Sequence, residues 1–169
     1  MKVAFVIGHT KLKKGAYSDF LKKSEYDFYK GFVCELEEIG DVFEHNYLNT
    51  GYNNRQRKTA IKTKDYDVVF ELHFNKFNTK ANGCEALYYL SNDKSRQIAK
   101  VFCDTYSKLT RSENRGVKSL YCKKQRGYGF VKHQKTNAII LEPFFGDNKE
   151  DCSKFEINNL IKAIKKSLL

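Results

Sequence analysis

Apolar positions along this chain fall into short runs that alternate with stretches of helical spacing. Residues 3–7, Val-Ala-Phe-Val-Ile, form an unbroken apolar run that stops at Gly8-His9, the pattern of a strand buried on both faces. Over 25–39 the apolar residues Tyr29, Phe32, Val33, Leu36 and Ile39 recur at helical spacing, with Ser24 as N-cap, Asp27 three positions on and Gly40 at the end, so a helix is expected there. A strand is predicted over 41–48 and a polar surface helix over 53–64. Residues 66–74 are rich in β-branched and aromatic side chains and predict another strand. A further strand, 85–90, follows Asn82-Gly83, and a helix over 93–109 places Ile98, Phe102, Tyr106 and Leu109 on one face. The run 137–144 predicts a strand whose end is marked by Pro143. The chain closes on an amphipathic helix, 155–169, with Ile157, Leu160, Ile161, Ile164 and Leu168 on one stripe and Lys162, Lys165 and Lys166 opposite. Such a basic helix can lie on an anionic membrane or pack against a sheet.

Strands alternating with helices predict an α/β fold: a single domain with a mostly parallel twisted sheet and helices on both faces. The length of 169 residues fits one domain. No repeat, low-complexity tract or linker divides it.

Charge and cysteine content narrow the function. Thirty-one Lys and Arg against 20 Asp and Glu give +11, which favours polyanionic partners, acidic wall polymers among them; the same excess on a solvated surface is the alternative. The five cysteines (Cys34, Cys84, Cys103, Cys122, Cys152) are odd in number and never spaced as CxxC, so reduced thiols are expected in place of a disulfide framework or a Cys-ligated zinc knuckle. The N-terminal apolar stretch is too short for a signal peptide and its lysines, Lys11, Lys13 and Lys14, follow it. Synthesis in the cytoplasm without stable membrane insertion is the expectation.

Ligands bind beyond the carboxyl ends of strands in open α/β sheets, and three reactive residues fall at such ends: His9, His73 and Glu142. Glu25, in the first turn of the first helix, opens on the same side after a long loop. Each has a plain structural alternative. Glu25 can complement the helix dipole, His73 can be a hydrogen-bonded core histidine, and Glu142 can pair with a lysine. His45 and His133 are less favourably placed. Two imidazoles and a carboxylate with an open fourth position make a catalytic zinc site, in which the pKa of bound water falls to about 7. A separate carboxylate nearby can then move protons.

At these residues the chain resembles the zinc-dependent N-acetylmuramoyl-L-alanine amidases of bacterial cell-wall hydrolases and phage endolysins. The matching segments are VAFVIGHT, SEYDFYKGF, DVVFELHFN, GCEALYYL, RGVK (115–118) and AIILEPFFGDNKED, in the family's order over nearly the whole chain. The resemblance implies that His9, Glu25 and His73 bind Zn2+ and that Glu142 is the catalytic acid/base. It also makes Glu85 and Arg115 candidates for supporting or substrate contacts. The implied reaction cleaves the amide between N-acetylmuramic acid and L-alanine in peptidoglycan, in an endolysin acting on the wall after release, with no nucleic-acid partner. The chain departs from the family in the lysine-bearing loop GHTKLKKGAYS, in Glu71 two residues before His73, and in Lys76. Rival functions are a zinc peptidase cutting within stem peptides and a non-catalytic polyanion-binding domain.

Overall fold

The computed structural model describes residues 1–45 and 51–169. In chain order its elements are β1 (Val3–Ile7), β2 (Tyr17–Ser18), β3 (Lys23–Ser24), α1 (Glu25–Lys30), α2 (Val33–Glu37), β4 (Asp41–Glu44), α3 (Tyr52–Lys62), β5 (Val68–Leu72), β6 (Cys84–Tyr89), α4 (Asp93–Thr110), β7 (Asn114–Leu120), α5 (Tyr128–His133), β8 (Asn137–Glu142), α6 (Lys149–Lys154) and α7 (Ile157–Ser167).

Six strands form one sheet in the order β4-β1-β5-β8-β6-β7, and β2 and β3 make a separate small hairpin. β1, β4, β5 and β8 run parallel, as do β6 and β7 with each other. Within this sheet, among the described residues, the β6–β8 pair is the antiparallel one, with Glu85 opposite Glu142. That reversal brings the start of β6, and with it the start of β7, to the edge where β1, β5 and β8 end. A single sheet edge thus carries residues from both directions of chain.

Alternation along the strands splits the core in two. Val3, Phe5, Ile7, Val68, Phe70, Leu72, Ile139 and Leu141 face the layer of α1, α4 and α7. Ala4, Val6, Val69, Ala138 and Ile140 face Phe130 and Val131 of α5, against which α3 packs. Helices therefore cover both faces, as the unbroken apolar runs predict.

The amphipathic stripe of α7 buries Leu160, Ile161 and Ile164 and packs against α4, so the protein's own core and not a membrane covers it, while Lys162, Lys165 and Lys166 stay exposed. No helix among the described residues is long and apolar enough to cross a membrane. All five cysteines are free thiols; Cys84 and Cys103 fill core space.

Several elements differ from the pattern-based expectation. The helix expected over 25–39 is broken into α1 and α2. Gly31 and Phe32 donate to carbonyls three residues back, at Phe28 and Tyr29, tightening the backbone there, and this turns the Phe32 ring onto Phe28 and Phe155. Ser24 does cap α1, accepting from the Asp27 amide at 3.2 Å. The final helix begins at Ile157, after the separate helix α6, because Phe155 is extended and inserts its ring among Phe28, Phe32 and Phe144. The strand expected over 41–48 is seen as β4, and 46–48 lie outside the described residues. β7 and α5 carry no pattern that announces them: Asn-Arg-Gly-Val-Lys-Ser-Leu lacks alternation, and six residues are too few to show a helical period.

Candidate active site

Gly8 closes β1 by donating to the Leu72 carbonyl at 3.1 Å. A Cβ on Gly8 would lie 2.4 Å from that oxygen and 2.6 Å from His73 Cε1, so only glycine lets the two strand ends approach. The next residue, His9, takes a left-handed backbone, φ 68°, a strained state for a side-chain-bearing residue that clusters at functional sites. It turns the imidazole out of the sheet. The loop after it folds back, so that Gly15 sits against the ring, where a Cβ would be 2.4 Å from His9 Cδ2.

Glu25, the first residue of α1, is buried. Its Oε1 accepts from the Ala16 amide at 2.9 Å, which leaves Oε2 for the histidines. That oxygen lies 2.9 Å from His73 Nδ1 and 3.1 Å from His9 Nε2. His9 Nε2 is buried and makes no hydrogen bond, an orphan that a metal ion would satisfy. One donor atom from each of His9, Glu25 and His73 lies within 4.8 Å of the others, and two imidazoles with a carboxylate suit a borderline-soft divalent cation.

His73 is held from several sides. Its amide donates to the Leu141 carbonyl at 3.0 Å, and its carbonyl accepts from the buried Tyr29 hydroxyl at 2.7 Å. Its Nε2 lies 3.3 Å from Glu71 Oε2. Glu71 Oε1 in turn is 2.6 Å from His45 Nε2, and His45 Nδ1 is 2.8 Å from Thr59 Oγ1. Burial disfavours charge on His73, but hydrogen bonding to Glu25 and Glu71 outweighs it and pushes the imidazole up to about 10. Burial likewise works against ionised Glu25 and Glu71, and their histidine partners win, holding both carboxyls well below the usual range.

Glu142, at the end of β8, belongs to a carboxylate pair. Asn75 Nδ2 donates to Glu142 Oε2 at 3.1 Å and to Glu85 Oε1 at 2.9 Å, and Arg115 Nε donates to Glu85 Oε2 at 2.9 Å. Arg115 also rests on the Phe145 ring, 5.0 Å from its centroid. Burial first, and the Glu85 carboxylate second, push Glu142 up to about 8 against the pull of His73. Two adjacent carboxyls thus stand in different environments, Glu85 against the Arg115 guanidinium and Glu142 beside His73 with its pKa raised by burial. His9, His73 and Glu142 line one cavity of about 400 Å³.

The chain matches the family model described as N-acetylmuramoyl-L-alanine amidase over residues 3–169. It belongs to the N-acetylmuramoyl-L-alanine amidase family. Solved structures agree. The catalytic domain of the CD27L endolysin targeting Clostridia difficile is 25% identical with a TM-score of 0.77, covering 99% of this chain and 96% of that one. The catalytic domain of CwlV, an amidase from Bacillus (Paenibacillus) polymyxa var. colistinus, is 21% identical with a TM-score of 0.76, covering 99% and 96%. An amidase from Clostridium difficile 630 is 19% identical with a TM-score of 0.76, covering 99% and 94%. No curated protein sequence matches the chain.

In this amidase every residue marked from the sequence sits at the one sheet edge: His9, Glu25 and His73 meet, Glu142 shares their cavity, and Glu85 and Arg115 pair beside Glu142. Glu85 is joined to Glu142 through Asn75, which donates to both. Asn75 and the partnership of Glu71 are not among the expected site residues, and His45, expected to be less favourably placed, holds Glu71. For Glu71 a signal existed, since a carboxylate two residues before a strand histidine shares its face.

Proposed function

We propose that this amidase is zinc-dependent, that residues 1–169 form its catalytic domain, and that it serves as a phage-type endolysin, made in the cytoplasm and acting on the wall after release. The observation that carries the metal reading is the convergence of His9 Nε2, Glu25 Oε2 and His73 Nδ1 around a buried nitrogen with no hydrogen bond. When bound, zinc supplies Lewis acidity toward the amide carbonyl and toward water.

The chain's own residues do the rest. Glu25 is fixed by the Ala16 amide and His73 by Glu71, so the donors are preorganised. Glu142 is raised to about 8, so it exchanges a proton close to neutral pH: its carboxylate form takes a proton from the attacking water, and the carboxylic acid so formed gives that proton to the departing alanine amine. Asn75 holds both carboxyls by donating to Glu142 and to Glu85, and Arg115 holds the other oxygen of Glu85. The products are an alanine amino terminus and a free lactyl carboxyl on the glycan.

The endolysin role rests on the likeness to the CD27L catalytic domain, and the +11 charge favours retention on acidic wall polymers. Metal analysis of the purified protein, joined to identification of new amino termini after digestion of peptidoglycan, tests the enzymology. Alanine termini released in proportion to bound zinc are expected; termini from within the stem peptide, or release by metal-stripped protein, overturn it. Retention on walls that is unchanged between low and physiological salt overturns the charge reading.

A further inference from the structure

The cavity that holds His9, His73 and Glu142 has a second wall, the 121–127 turn, which contributes Lys123, Lys124 and Arg126. A neighbouring cavity of about 330 Å³ shares Tyr52, Lys123 and Gln125 with it and adds Arg57, Lys132 and His133. The two adjoin along Tyr52, Lys123 and Gln125, and the far one is lined by cations. On the reading of the chain as an amidase, we propose that this turn is a carboxylate-binding wall that seats the stem peptide and selects peptides whose carboxyls are free.

The turn is built to hold its cations in place. Gln125 Oε1 accepts from the Tyr121 and Cys122 amides at 2.7 and 3.1 Å, and its Nε2 donates to the Ser119 carbonyl at 3.3 Å. Gly127 closes the turn at φ +82°, pressed so near the sheet that a Cβ would meet Ile140 Cδ1 at 2.3 Å. A clamped turn presents its charges with little ordering cost on binding.

Among the described residues no carboxylate forms an ion pair with Lys123, Lys124 or Arg126. On the other side of the site Lys14 pairs with Asp27 and Lys30 with Glu44. Of the acids that line the first cavity, Glu71 is bound to His45 and His73. In the neighbouring cavity, burial first and then Arg57, Lys132 and Lys135 push the His133 imidazole below its ordinary pKa.

Substrate chemistry gives the wall its occupant. The lactyl carboxyl is consumed in the scissile amide and the sugars are N-acetylated, so the glycan side of the bond is neutral. Carboxylates lie only on the peptide side. A cationic wall on one side of the reacting groups therefore fixes the direction of the substrate, with the peptide along the 121–127 turn and the glycan leaving past the 10–16 loop.

Two soluble muropeptides that differ only in whether their stem-peptide carboxyls are free or amidated test this on the metal-loaded full chain. The wild type is expected to favour the free acid by about tenfold in kcat/KM, the sum of a few exposed charge contacts. The triple variant Lys123→Ala, Lys124→Ala, Arg126→Ala, in which all three residues are exposed, is expected to cut both substrates with equal kcat/KM, its KM for the free acid having risen. A wild type without preference, or a triple variant that keeps it, overturns the proposal. So does a variant impaired only in binding walls that carry phosphate polymers. If the wild type releases alanine termini from neither muropeptide, the amidase reading fails and this one with it.

Discussion

Glu71 Oε2 lies 3.3 Å from His73 Nε2, on the side of the ring opposite the nitrogen that faces Glu25. The carboxylate thereby fixes the ring so that Nδ1 is turned toward the other donors, and His45 and Thr59 fix the carboxylate. Outer carboxylates of this kind set ligand basicity and orientation, and their loss costs about 10–100-fold in metal affinity. Glu71→Ala is therefore expected to bind zinc about 10–100-fold more weakly in competition with a chromogenic chelator. Unchanged affinity would make the contact with His73 incidental.

Glu142 and the metal donors share a cavity but divide the work, so a substitution at Glu142 separates them. Glu142→Gln keeps the hydrogen-bonding shape beside Asn75 and Glu85 but cannot exchange a proton. A loss of about 10²–10⁴-fold in kcat, the range for a general acid/base, is expected with full metal stoichiometry. The checks are steady-state hydrolysis of a soluble muropeptide and metal analysis of the same sample. A variant that loses its metal instead would place Glu142 among the ligands.

What the sequence could disclose follows from where the information lies. His9, His73 and Glu142 are legible because each ends an apolar run, and Glu25 because it opens a capped helix. The parallel sheet is legible for the same reason: runs such as Val3–Ile7 are buried on both faces. The reversal of β6 against β8 is not, since apolar alternation carries no direction, yet that reversal puts Glu85 opposite Glu142. The start of β7, with Arg115, comes to the same edge through a strand that shows no alternation. The link from His45 to Glu71 spans the end of β1 and joins residues 26 apart, a pairing that no local pattern encodes.

Protonation of the same groups predicts how stability and metal affinity change with pH. His73 is raised from its ordinary 6.5 to about 10, so its contribution is complete below 6.5 and lost as pH rises through about 10. Glu142, raised from 4.5 to about 8, acts in the same direction, its contribution present below 4.5 and lost as pH rises through about 8. Glu25 and Glu71 are lowered from 4.5, so theirs is present above that value and lost only in acid. Metal-stripped protein is therefore expected to melt at progressively lower temperature from about pH 6 to about pH 9. Zinc must displace the His73 proton to bind, so its affinity should rise with pH over the same interval, by up to about tenfold per unit. Thermal melts and chelator competition at three pH values check both, and a zinc affinity independent of pH would remove His73 from the ligand set.

Two glycines with left-handed backbone separate the strain of a turn from the placing of a ligand. Gly15 has φ +80°, and a Cβ there would lie 2.4 Å from His9 Cδ2 and 2.5 Å from His9 Nε2; Gly116 has φ +74° and nothing within 4 Å. Alanine at either position suffers the left-handed backbone penalty, about 1–2 kcal/mol, so both variants should lose comparable stability in denaturant melts. Only Gly15→Ala drives an added methyl into the imidazole, and the ring can yield only by leaving Glu25 Oε2. Zinc affinity should accordingly fall in Gly15→Ala and stay at the wild-type level in Gly116→Ala. Equal affinity in the two variants would mean that the lysine-bearing loop only covers His9 and does not position it.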